Sequence, residues 1–182
     1  MADMTEPLAA APVRPLHLRL LPAFIGDTGH SRRGYILKGW LLTLLPSLAL
    51  AAVVGMIFSA FFGKPQAPEF GEPGPVLVFL MVLFAPVVET LIMVPPLLIL
   101  NRLFGPSPAA ALSAIGWAIA HSLQAPIWGF VIWWPFFVFS TIILVWRKKS
   151  LVTGMLIVMA IHGMQNAVPA LVLLAGRGSG GG

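Results

Sequence analysis

The sequence predicts an all-α fold, a polytopic membrane helical bundle of about five transmembrane helices. Three observations predict it. The 182 residues are 58% hydrophobic and only 9% charged, whereas a soluble domain carries about 25% charged residues. Apolar stretches long enough to cross about 30 Å of hydrocarbon at about 1.5 Å per residue alternate with Pro, Gly and charged breakers. The basic residues, which give a net charge of +5, gather at the ends of those stretches. That distribution is a topology signal, not the footprint of a nucleic-acid partner. The chain has no cysteine, which excludes disulfides, thiolate zinc sites and a cysteine nucleophile.

The elements follow in order. Residues 1–33 form an N-terminal cytoplasmic segment, partly disordered, with an Ala/Pro-rich start. Its stretch 17–26, HLRLLPAFIG, is expected to lie on the membrane surface, with Pro22 keeping any helix short. The segment lacks the early apolar run of a cleavable signal peptide. Residues 34–174 form the membrane domain. Its first span covers about 39–62 and ends at a Pro/Gly/Glu loop. The second runs from Pro75 to about Leu100, with Pro95 and Pro96 expected to kink or break its end. The third starts near Ala109 and passes through His121 to a turn around Gln124–Pro126. The fourth, 127–146, is rich in Trp and Phe, with Trp128, Trp133, Trp134 and Trp146 as interfacial anchors and packing residues. The fifth covers 151–174, and 175–182 is a flexible Gly-rich tail.

Orientation follows from charge. With the N-terminus in the cytoplasm, Arg14, Arg19, Arg32, Arg33, Lys38, Arg102, Arg147, Lys148 and Lys149 fall inside, and only Lys64 and Arg177 fall outside. This bias obeys the positive-inside rule. The expected location is therefore the bacterial cytoplasmic membrane, as an integral multi-pass protein with its C-terminus outside.

Glu89 is the one acidic residue in the long apolar part of the chain. A carboxylate in a lipid core costs several kcal/mol unless it is protonated, paired or wet, so it marks a functional site by default. His121 and His162 also lie in apolar runs. Glu89 stands 12 residues from Asn101, His121 13 from Pro108 and His162 12 from Ser150. Each is thus about 18–20 Å from the predicted cytoplasmic edge. Asn166 follows His162 by four positions, on the same helical face, and Trp117 stands likewise to His121. One carboxylate, two imidazoles and an amide at one depth supply a proton acceptor and hydrogen-bond donors in low dielectric, the groups that amide hydrolysis needs. Taken singly, an intramembrane His is more often helix-packing glue. Gly116, Gly154 and Gly163 most simply permit close helix contact.

The segment APVVETLIM resembles the first motif, EExxxR, of the CAAX-protease and bacteriocin-processing (CPBP, or Abi) family. SAIGWAIAHSL resembles its FxxxH motif with Trp117 in place of Phe, and the last span carries HxxxN at His162 and Asn166. The three motifs occur in family order over about residues 75–170. The resemblance implies an intramembrane endopeptidase of the glutamic type, without cofactor or metal, acting on a membrane-associated protein or peptide. Matched position by position, Glu89 activates water, His121 helps position and deprotonate it, and His162 with Asn166 stabilises the oxyanion. The second Glu of the first motif is Thr90 here and its Arg is Val94. Losing both members of a possible ion pair leaves no orphan buried charge. Three alternatives stand beside this reading. The first is a non-catalytic member that binds or stabilises a membrane partner. The second is a zinc-dependent protease using Glu89 and the two histidines, though HExxH is absent. The third is a proton or ion carrier, for which no internal repeat speaks.

Overall fold

The computed structural model describes residues 16–29, 31–64 and 74–179. Among them there is no strand; the chain is all-α. The short helix α1 (Leu16–Arg19) and a 3-10 turn (Ala23–Gly26) precede α2 (Arg32–Phe62). Next come α3 (Pro75–Phe79), a π-helical turn (Leu80–Phe84) and α4 (Ala85–Phe104), then α5 (Pro106–Ser122), α6 (Gly129–Trp146) and α7 (Leu151–Ser179). Four stretches among the described residues are long and apolar enough to cross a membrane: Arg32–Phe62, Pro75–Phe104, Gly129–Trp146 and Leu151–Gly176. The chain is accordingly a multi-pass membrane protein. The expected third span is the shortest of the five long rods. At 17 residues, α5 reaches only about 25 Å.

Helix α6 forms the centre. Every residue from Pro135 to Trp146 is buried, and this stretch is apolar on every face apart from Ser140 and Thr141, as a helix enclosed by others should be. Helices α2, α4, α5 and α7 surround it. Trp146 is 2% exposed and meets Tyr35 edge-on at 5.3 Å, so it serves packing and not the interface. Trp134 donates its indole N–H to the Leu42 carbonyl at 2.8 Å.

Three expectations change in detail. The 17–26 segment is not simply laid on the surface: Leu21 and Ile25 join the core, and the Tyr35 hydroxyl donates to the Ile25 carbonyl at 2.8 Å. Helix α4 continues through Pro95 and Pro96 to Phe104. Without N–H groups, these prolines forgo the bonds to the carbonyls four residues earlier, and the surrounding turns carry the helix across them. Helix α7 runs on to Ser179, past the expected end at 174. Residues 1–15, the start of the N-terminal segment, and 180–182, the end of the Gly-rich tail, lie outside the described residues.

One joint matters for the site. Gly105 alone separates α4 from α5, at φ 82°. With ψ at 175°, this extended positive-φ conformation is essentially open to glycine alone.

Candidate active site

The site is built around an irregularity in the second span. Pro86 has no N–H to return to the Val82 carbonyl four residues earlier, and the chain widens there into the π-helical turn Leu80–Phe84. The Ala85 N–H reaches back five residues to the Leu80 carbonyl. Such turns leave carbonyls poorly served by their own helix. Helix α7 answers with two residues. Asn166 donates its Nδ2 to the Met81 carbonyl at 3.0 Å. Gly163 lies against the Val82 carbonyl so closely that a Cβ there would stand 2.6 Å from that oxygen. Gly163 is thus the contact that lets α7 seat on the widened turn.

One turn beyond, Glu89 projects into a cavity of about 760 Å³ bounded by α2, α3 with its π turn, α4, α6 and α7, with His121 at the end of α5. His121, His162 and Asn166 line the same cavity. All four residues singled out in the sequence therefore share one chamber. Glu89 Oε2 lies 3.8 Å from His162 Nε2, and their side chains are 23% and 7% exposed. That gap is too long for a direct hydrogen bond. It does let one water reach both atoms at about 2.8 Å each.

The imidazoles are held by aromatic rings. Phe136 stands 5.4 Å from His121 and 5.6 Å from His162, centroid to centroid. Trp117 stacks on the same Phe136 at 4.6 Å, and Phe139 lies 5.0 Å from His162. His121 Nδ1 lies 2.8 Å from the Trp117 carbonyl. A carbonyl only accepts, so Nδ1 carries the hydrogen, and in its neutral form the ring presents its Nε2 lone pair. The four-residue spacing of Trp117 and His121 thus works through the Trp117 backbone as well as through ring contact.

Thr90 and Val94 face the protein interior, 1% and 7% exposed. The Thr90 hydroxyl turns back on its own helix and donates to the Pro86 carbonyl at 2.6 Å. It adds no second acid to the chamber.

Sequence reasoning missed several lining residues. Ser47 of α2, Gln124 and Trp128 of the α5–α6 turn, and Gln165 of α7 all border the cavity. Glu89 Oε2, Ser47 Oγ and Gln165 Oε1 are buried and have no hydrogen-bond partner among the described residues. Buried oxygens of this kind are ordinarily met by water or by a bound polar group. Gln165 was visible as the neighbour of Asn166. Nothing distinguished Ser47 within PSLAL, since a single Ser in a span usually satisfies its own helix.

Among the described residues, no three His, Asp or Glu side chains are grouped to hold a metal ion. Chemically, the chamber offers a carboxylate, two imidazoles and a partly engaged amide, with apolar walls and room for an extended chain segment. No family model, curated protein or solved structure matches this chain.

Proposed function

We propose that this protein is an intramembrane endopeptidase of the CPBP type, hydrolysing a peptide bond in a membrane-associated substrate with water activated by Glu89. The observation that carries the reading is the approach of Glu89 Oε2 to His162 Nε2, 3.8 Å, on the wall of one chamber that also holds His121 and Asn166. These residues come from three helices, and ordinary packing has no need to gather them.

In this reading a water beside Glu89 attacks the scissile carbonyl carbon, and Glu89 takes its proton. The Nε2 lone pair of His121 accepts the water's other hydrogen and sets its direction. A ring N–H of His162 and the second amide hydrogen of Asn166 donate to the carbonyl oxygen as it gains charge. Collapse of the tetrahedral adduct breaks the C–N bond, and the proton passes from Glu89 to the departing amine. Asn166 has one hydrogen committed to Met81. Its share in oxyanion binding is therefore smaller than that of a free amide, and part of its role is to hold the π turn ahead of Glu89.

The positive-inside bias supports a cytoplasmic N-terminus. Reporter fusions after Lys149 and Gly182 should then report opposite sides; the same side for both would remove the five-rod topology.

The test is cleavage of a library of membrane-anchored peptides by purified protein. Wild type should cleave and Glu89→Gln should not, with or without chelator. Loss on chelation, restored by zinc, would move the reading to the metal-dependent alternative. Thr90 and Val94, neutral where the resemblance has a Glu and an Arg, favour a second reading, a non-catalytic protein that holds a membrane partner in the same chamber. Equal complementation of a deletion strain by wild type and Glu89→Gln would select it.

A further inference from the structure

A second, smaller recess lies at the opposite end of the bundle. It has a volume of about 480 Å³ and is walled by Leu98, Ile99, Asn101 and Arg102 near the end of α4 and by Arg147 just past the end of α6. Both arginines are exposed. Neither has an ion-pair partner among the described residues.

The surroundings are one-sidedly basic. Arg32, Arg33 and Lys38 open α2, and Lys148 and Lys149 follow Arg147. The Tyr35–Trp146 contact brings the start of α2 to this same end. Lys149 also reaches the Thr28 carbonyl at 3.4 Å. The carboxylates among the described residues are Asp27 and Glu89. Glu89 belongs to the distant chamber, and Asp27 accepts the Gly29 N–H at 2.7 Å.

The recess is apolar as well as charged. Ile99 and Ile92, seven residues apart on one helical face, are both 59% exposed, forming an outward hydrocarbon strip that descends from Arg102 along α4. Two guanidinium forks above an apolar strip, at the end of membrane-spanning helices, match a phosphodiester above an acyl chain. A free phosphate would use only the upper half. A zwitterionic headgroup would bring a second cation into a field that is already positive.

We infer that this recess binds an anionic phospholipid, with the headgroup phosphate between Arg102 and Arg147 and an acyl chain along Leu98 and Ile99. The site is independent of the chamber chemistry, and basic recesses between helices on the positive side of a bundle are suited to such headgroups.

The test is native mass spectrometry of the full chain in detergent, titrated with dioleoyl phosphatidylglycerol and, separately, dioleoyl phosphatidylcholine. Phosphatidylglycerol should bind in preference. Arg102→Gln and Arg147→Gln should each weaken it about fivefold, and together about 25-fold. Arg102→Lys should retain more binding than Arg102→Gln, which separates loss of charge from loss of fold. Lys148→Gln, one charge away and outside the recess, should change binding less than twofold. Equal affinity for phosphatidylcholine would overturn the site. So would a loss on Lys148→Gln as large as on Arg102→Gln, or displacement of the lipid by inorganic phosphate at matched concentration.

Discussion

The two halves of this bundle are made of the same kinds of residue and behave oppositely. Around Pro135–Trp146 the helices close completely. Hydroxyls there are satisfied inside the protein: Ser140 Oγ donates to Ser113 Oγ at 2.9 Å and Thr141 Oγ1 to the Phe137 carbonyl at 2.9 Å. Around Glu89 the helices stand apart over about 760 Å³, and Glu89, Ser47 and Gln165 each present a buried oxygen without a partner among the described residues. Apolar composition therefore does not decide where a membrane bundle closes. Closure follows helices that meet side chain to side chain and whose hydroxyls serve one another, even though the indole nitrogens of Trp40 and Trp146 find no partner among the described residues. Opening follows a helix interrupted by Pro86 and the π turn, with polar groups left to face inward.

The largest effect that can break this comparison is chemical. Glu89→Gln should lower turnover by about 10²–10⁴-fold, the range of a lost general base, while leaving the melting temperature near that of wild type. Cleavage kinetics beside thermal unfolding would check both halves of the statement. Full retention of turnover would mean that the open half is not a reaction chamber.

Next in size is a packing defect in the closed half. Ile142 is fully buried, and Ile142→Ala should cost about 2–5 kcal/mol by opening a cavity. Unfolding in detergent would measure it. A small loss would show that the closed half is loosely packed after all and erase the contrast.

Gly163→Ala probes the seam between helix α7 and the π turn. Its new Cβ would meet backbone, the Val82 carbonyl, at 2.6 Å. Backbone yields less readily than a side-chain tip, so the expected cost is about 1–3 kcal/mol. Displacing Glu89 by about 1 Å should also lower turnover about 10²-fold. Gly39→Ala is the matched control, since the atom it would meet is the flexible Ile161 Cδ1, also at 2.6 Å. It should leave turnover unchanged.

The smallest effect belongs to Thr90→Ala. The hydroxyl bonds the Pro86 carbonyl within its own helix, so its loss should cost about 0.5–1.5 kcal/mol and little turnover. A large kinetic effect would show that Thr90 takes part in the chamber chemistry.

The readable part of the molecule was whatever depends on counting along a helix. The rods follow from rise per residue and from where the charges stop each span, and the same counting singled out Glu89, His121 and His162, which line one chamber. The unreadable part depends on contacts between rods. The π turn needs Gly163 and Asn166 of α7 to support it, and Pro86 alone signals only a loosened helix. Ser47 enters the site because α2 leans on the chamber, which periodicity within α2 cannot reveal. Leu21 and Ile25 read as a surface stretch because their segment is short, carries Arg19 and is interrupted by Pro22, whereas their burial is set by Tyr35 and the α6 end.

Gly105 makes the second and third rods into a pair of dividers. Glu89 is 16 residues before it and His121 is 16 residues after it. Each leg is thus about 24 Å long. The equal legs set the two points at matching distances from the joint, so carboxylate and imidazole keep step along the pair of rods. Inserting one residue into either leg would raise one tip by about 1.5 Å and swing it about 100° around its shaft, whereas the same insertion in both legs would turn both tips away from each other while leaving them level.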